Sequence, residues 1–325
     1  MTNKKYDVVA LGELLIDFTE NGLSEQGNPL LEANPGGAPC NVLSMLQKLG
    51  DHTAFIGKVG DDGFGHLLTK AVQEQGIDTT GLVYDNDVHT TLALVLKKEN
   101  GDRDFAFYRN PGADMNLKEE EVNESLIASS SIFHFGTLSL TDESVKKATQ
   151  KAVKAAKENG LTITFDPNLR EPLWRSLEEA HEQVAWGLQQ ADVVKISDNE
   201  ITWFTGMDNY DEGIAFLQKE YPNLKLICLS MGGEGSKAVY RDIHVAYPAF
   251  LQEATIETTG AGDTFCACMI HTVLENGIDH LDEEKLKEML KFANAAASLV
   301  TTKKGALRVM PTKEEVETFI ENFKR

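Results

Sequence analysis

Short apolar runs rich in β-branched residues recur along the chain at Tyr6–Leu11, Thr53–Val59, Ser131–Phe135, Leu161–Phe165, Val193–Ile196 and Leu224–Leu229. Each lies near turn residues and is too short for a helix, which predicts strands buried on both faces. Between them, Ala38–Leu49, Gly63–Gln75, Asp142–Glu158, Leu177–Gln190 and Gly213–Glu220 place apolar residues at helical spacing, and Gly50, Gly76 and Gly160 follow as stops. Strand and helix in alternation predict an α/β fold: a mostly parallel sheet, helices on both faces, and ligands beyond the carboxyl ends of the strands.

Two stretches break the rhythm, at about 16–35 and 88–110. Both carry strand-like residues without a crossover helix, and the second contains Asn100-Gly101, a strong hairpin signal that sets a turn at Glu99–Asp102. They predict a small antiparallel β lid inserted in one domain spanning residues 1–325. After Ser236 the pattern becomes a hairpin at Lys237–Val245 and three helices, Asp263–Asn276, Asp282–Leu299 and Thr312–Lys324, with no linker rich in Pro, Gly or Ser and no internal repeat. The runs KEEE (Lys118–Glu121) and DEEK (Asp282–Lys285) read as solvated helix ends.

Charge changes the picture. The 51 acidic residues outnumber the 31 basic ones, for a formal net charge of -20. Such a field repels polyphosphate backbones and anionic membranes, so neither nucleic acid nor a membrane is an expected partner. Any nucleotide would have to be held by local dipoles and a few placed cations. Cys40, Cys228, Cys266 and Cys268 form no C-x-x-C pair and sit in apolar surroundings, as small core residues of a reducing compartment would. The first residues pass at once into a strand-like run without a long apolar segment, and the expected location is cytoplasmic.

Much chemistry is excluded. The loop G-x-x-x-x-G-K-[ST], the set H-R-D, the elbow G-x-S-x-G and the zinc helix H-E-x-x-H are all missing, and Phe265 stands where a dinucleotide fingerprint needs its third glycine. What remains is ETTGAGDTFCACMI, residues 257–270. A Gly-x-Gly turn entering a helix leaves backbone N–H groups unpaired at the positive end of the macrodipole, which makes an anion site of Gly260, Ala261, Gly262 and Asp263. The carboxylate of Asp263 would repel a phosphate, yet it is placed to take the proton from a hydroxyl that attacks one. An Asp in the first turn of a helix is equally a plain cap, so the turn alone leaves both readings open.

A second glycine-rich stretch, NPGGAPCNVLSMLQKLG at 34–50, again turns into a helix, and GKVGDDGFG follows at 57–65. Together with 257–265 these stretches resemble the paired signatures of the ribokinase-like (PfkB) carbohydrate kinases. GELLIDF, FYRNPGADM, IFHFGTLSL, FDPNLREPLW and VKISDNEITWFTG are similar to the fructokinase subgroup. The resemblance implies a ribokinase-like three-layer α/β/α fold with a central mostly parallel sheet, and ATP-dependent, Mg²⁺-dependent phosphorylation of D-fructose to D-fructose 6-phosphate. Asp263 would be the base and the N–H groups of 260–263 the phosphoryl site. Sugar contacts are implied for Asp17, Gly36, Gly37 and Asn41, and polar contacts to substrate and phosphate for Arg109, Asn168 and Arg170. On their residues alone, Asp17 reads equally as a strand end and Arg109 as a solvated charge. The nucleotide is implied at Ser230, Gly232 and Gly235, with adenine near Asn294.

The family's N-x-x-E element falls on Ser197 and Glu200, keeping the Glu without the Asn, so Glu200 is expected to meet Mg²⁺ through water. Glu257 replaces the family's usual Asp at the start of the second signature, beside a K⁺ site implied near Thr259. Unpaired lid edges suggest a homodimer. The alternatives are 2-keto-3-deoxygluconate kinase or another sugar kinase of the family, and more remotely a sensor of sugar or nucleotide without turnover.

Overall fold

A computed structural model describes residues 4–97 and 103–323, so the turn expected at Glu99–Asp102 lies outside the described residues. In chain order the strands are β1 (Tyr6–Leu11), β2 (Leu15–Leu23), β3 (Pro29–Gly36), β4 (Thr53–Gly60), β5 (Asp78–Asp85), β6 (Leu92–Lys97), β7 (Arg103–Tyr108), β8 (Ser130–Gly136), β9 (Thr162–Asp166), β10 (Val193–Ser197), β11 (Leu226–Ser230), β12 (Ser236–Tyr240) and β13 (Ile243–Tyr247). The helices are α1 (Ala38–Leu49), α2 (Gly63–Glu74), α3 (Glu124–Ala128), α4 (Glu143–Glu158), α5 (Leu177–Gln190), α6 (Asp198–Thr205), α7 (Tyr210–Glu220), α8 (Ala261–Asn276), α9 (Glu283–Val300) and α10 (Lys313–Asn322).

The larger sheet runs β13-β12-β11-β10-β9-β8-β1-β4-β5. From β11 to β5 every pairing is parallel, and β12 and β13 close one end as antiparallel strands. Alternate side chains of a strand face opposite ways, so each strand feeds two cores. Val8 and Ala10 of β1 pack with α1, α8 and α9, whereas Val9 and Leu11 pack on the other face with α4 and α5. Strand β11 divides in the same way, Leu226 and Cys228 to one side and Ile227 and Leu229 to the other. This is the expected three-layer arrangement. All four cysteines are buried and unpaired.

The smaller sheet has the order β3-β2-β6-β7. Its two hairpin pairs are antiparallel, while the central β2/β6 pair is parallel, matching Ile16 with Leu92 and Thr19 with Val95. Edge strand β5 and the short helices α3 and α6 interrupt no strong apolar period, and the sequence pattern did not predict them. The KEEE run also does more than face solvent. Its Glu121 pairs with Lys58, a buried lysine that also meets Asp85 at 3.1 Å. Among the described residues no helix is long and apolar enough to cross a membrane.

Candidate active site

Most helices with a clear start are capped by a side chain: Asp62 caps α2, Asp142 α4, Ser176 α5, Asn209 α7, Asp282 α9 and Thr312 α10. Helices α1 and α8 begin instead on Gly37 and Gly260, which supply no cap. At α1 the carboxylate of Glu13 accepts from Ala38 N–H at 2.8 Å. At α8 Ala261 N–H donates back to Thr258 at 3.2 Å, and the N–H groups of Gly262 and Asp263 have no acceptor among the described residues. The chain adopts this uncapped turn because Gly260 sits at φ 79°, and a Cβ there would come within 2.7 Å of the Ala306 methyl.

Both helix starts open on one cavity of about 500 Å³. Its walls include Asp17, Gly37, Asn41, Asn168, Arg170, Thr259, Gly260, Gly262 and Asp263. The structure thus gathers most of the sugar and phosphoryl residues expected from the sequence. Gly36 lies against the Asp17 carboxylate. Asn41 donates to Asp263 Oδ2 at 2.8 Å, while Asn41 Oδ1 is buried without a partner and Asp263 Oδ1 carries no bond within the described chain. Asn168 holds a left-handed backbone at φ 42°, a strained conformation typical of a functional turn. Its loop is pinned by Glu200, whose Oε1 accepts Leu169 N–H at 2.8 Å.

Burial sets the electrostatics. It raises Asp263, against the Asn41 hydrogen bond and the charges of Lys195 and Arg170. It raises Asp17 to about 7, with Arg170 opposing and the carboxylates of Asp263 and Glu257 adding to the rise. Glu13 is likewise pushed to about 7 by burial. Glu13, Asp166 and Lys195 were not foreseen from the sequence. Their signal was weak: Glu13 lies just past β1, Asp166 ends β9 and Lys195 sits in the middle of β10, and only tertiary folding brings them to the site.

Arg109 stands apart from these residues. It is buried, and its guanidinium donates to Asp114 through Nε at 2.8 Å, to Thr141 Oγ1 at 2.9 Å and to the Leu138 carbonyl at 2.9 Å. Its burial excludes a solvated lid charge, and with these donors committed to the network Arg109 does not line the cavity of about 500 Å³. The nucleotide residues form a separate group. Ser230 ends β11, Gly232 and Gly235 shape the turn into β12, and Asn294 bonds Ser236 at 2.9 Å and the carbonyls of Tyr247 and Pro248. Its amide is therefore held by the protein, with little capacity left for a base. Glu200 Oε2 accepts the N–H and hydroxyl of Ser197, so its carboxylate already closes the cap of α6. Among the described residues no group of three His, Cys, Asp or Glu could hold a metal ion. Glu257 reaches across to accept Gly305 N–H at 2.6 Å, beside Thr259.

The profile of the pfkB family carbohydrate kinases matches residues 5–313. The chain belongs to that family. Fructokinase-1 of Zea mays is 42% identical over 316 residues, covering 97% of each chain. A fructokinase from Xylella fastidiosa solved with bound ATP superposes with a TM-score of 0.88 at 29% identity, over 97% of this chain and 98% of its own. A Vibrio cholerae fructokinase bound to fructose, ADP and a calcium ion gives 0.86 at 28% identity, over 97% and 99%. In this pfkB chain the uncapped start of α8 carries Asp263 in its first turn, beside backbone N–H groups that have no acceptor among the described residues.

Proposed function

We propose that the protein transfers the γ-phosphoryl group of ATP to D-fructose, giving D-fructose 6-phosphate and ADP. The observation that carries this reading is the juxtaposition, in one cavity, of the Asp263 carboxylate with the unpaired N–H groups of Gly262 and Asp263. The primary hydroxyl of the sugar attacks phosphorus, the bond to the ADP oxygen breaks, and Asp263 takes the hydroxyl proton. Backbone N–H groups aimed at the phosphoryl stabilise the charge that builds on it. Asn41 holds the base by one oxygen and offers its own unpartnered Oδ1 to a sugar hydroxyl. Asp17, Gly36 and Gly37 line the sugar end, and ATP extends from α8 toward the Ser230–Gly235 turn.

Mg²⁺ dehydrates reluctantly, so it would arrive on the nucleotide and keep most of its waters. Glu200 and Asp166 would meet those waters, and the ion would supply neutralisation of phosphate charge. A K⁺ ion near Thr259 belongs to the same reading, although the loops there are already joined by Glu257 and by Ile256 N–H to the Thr301 carbonyl at 2.8 Å. The smaller sheet acts as a lid, since Asp17 and Thr19 of β2, Asn34 of β3 and Val95 of β6 face the cavity. A neutral sugar suits this lining better than a sugar acid. Arg109 is withdrawn from it, and Asp17 and Glu257 oppose a second carboxylate.

ADP release on fructose, ribose, 2-keto-3-deoxygluconate, fructose 1-phosphate and adenosine tests the substrate, and a preference for anything but fructose rejects it. Asp263→Asn should keep ATP binding and lose about 10²–10⁴ in kcat. Undiminished turnover would remove Asp263 from the role of base, and ATP binding without turnover in the parent protein would favour a sensor.

A further inference from the structure

Lys195 is the middle residue of β10, one strand from Asp166 at the end of β9. Its ammonium lies 3.2 and 3.1 Å from the two oxygens of Asp166, and the residue is only 5% exposed. Burial disfavours the ammonium, but the carboxylates of Asp166 and Glu200 outweigh it and keep the group charged. A lysine that only tied two strands together would end there. This one also lines the cavity, beside the start of α8. A Cβ on Gly262 would stand 3.3 Å from its Nζ, so glycine at 262 leaves the ammonium clear of a side chain.

An ammonium has three donors, and Asp166 occupies two at most. The remaining one is free to serve the space bounded by Gly262 and Asp263. The other cations of the lining are less committed to that point. Arg170 is exposed and leans on the carbonyls of Asn168 and Leu169, and Lys304 is exposed near Asn21. In a chain of net charge -20 whose cavity also holds Asp17, Glu257 and Asp263, a phosphoryl group needs a cation fixed in advance.

We propose that Lys195 is a catalytic cation that contacts the phosphoryl group in transfer, held in place by Asp166 and given room by Gly262. The inference rests on the kinase reading and adds to it a side-chain donor beside the backbone N–H groups. Lys195 acts also on the base. Asn41 from α1, Lys195 from β10, Asp166 from β9, Asp17 from β2 and Arg170 from the loop after β9 bear on Asp263, and removing the nearest buried cation makes its carboxylate easier to protonate.

The test compares the parent with Lys195→Met, Lys195→Arg and the double variant Lys195→Met/Asp166→Asn, which leaves no unpaired buried charge should the single variant misfold. The parent must first turn over fructose; if it does not, the kinase reading fails and this one is not the cause. The double variant should fold, bind ADP within about threefold of the parent, bind a non-hydrolysable ATP analogue more weakly, and lose about 10²–10³ in kcat. In Lys195→Met the acid limb of the kcat/KM profile should move to higher pH, and Lys195→Arg should recover part of the rate. A purely structural lysine predicts otherwise: ADP and the analogue would weaken together, and the double variant would regain kcat to within a few-fold of the parent. Either result overturns the proposal.

Discussion

The Asp17 carboxylate carries the sharpest conflict between stability and function. It is half-buried on the cavity wall with Arg170 as its main opposing charge, and desolvation raises its pKa to about 7 from the usual 3.8. The folded chain therefore binds a proton that the unfolded chain releases, and stability falls as pH rises from about 4 through about 7. Above that window the buried charge is a full penalty; below it the penalty vanishes. Asp17→Asn should raise the Tm at pH 8 by about 2–4 °C for each kcal/mol relieved, and the gain should shrink toward zero at pH 4. The same variant should raise the KM for fructose at least about tenfold, because a charged acceptor is replaced by a neutral amide. Melting curves at the two pH values check the first half, and a Tm at pH 8 equal to or below the parent's would contradict it.

At the scale of elements, α8 joins two demands. Its buried residues Phe265, Cys266, Ala267, Met269 and Ile270 fix the axis in the core, and that axis decides where the first N–H groups point. Gly260→Ala should therefore damage both properties. The new methyl meets Ala306 at a distance no packed pair of carbons adopts, and the left-handed backbone is strained for alanine. A loss of about 1–3 kcal/mol in unfolding free energy is expected, with a fall in kcat larger than the change in KM for ATP. Denaturant melts and steady-state rates measure the two together, and an unaffected kcat in the folded variant would show that the turn is only structural. The strong apolar periods of α1, α5 and β1 made those elements readable to the residue. Edge strand β5, half-exposed on both faces, lacks that pattern, and α6 is short and starts directly from β10. The site was legible where backbone chemistry dictates residue type, as in the glycine turns and Asp263. It was not legible at Lys195, Asp166 and Glu13, because a lone charged residue in or just past a strand declares its role only when a neighbouring element supplies its partner. Arg109 shows the converse: on its residues alone it read as a solvated charge, and the fold buries it against Asp114.

For the whole molecule, the smaller sheet poses the remaining question. Strand β3 lies at its edge, and Leu23, Leu30 and Leu31 on the β2/β3 hairpin are 64%, 47% and 43% exposed. An edge with unpaired N–H and carbonyl groups and an apolar flank is a pairing surface unless something covers it. The same hairpin carries Asp17 and Asn34 to the cavity, so whatever fixes its position also fixes the sugar end of the site. We expect a second copy of the chain to cover it, lid against lid. Sedimentation at micromolar concentration should then give twice the mass of one chain, and Leu31→Lys, placed where nothing in the single chain needs an apolar group, should return it to the single mass with its Tm in dilute solution nearly unchanged. The variant's KM for fructose should rise more than its kcat falls, because α8 is untouched while the hairpin loses its support. A parent that sediments as a single chain across that concentration range would contradict the dimer, and the lid would then have to close on the sugar without help from a partner.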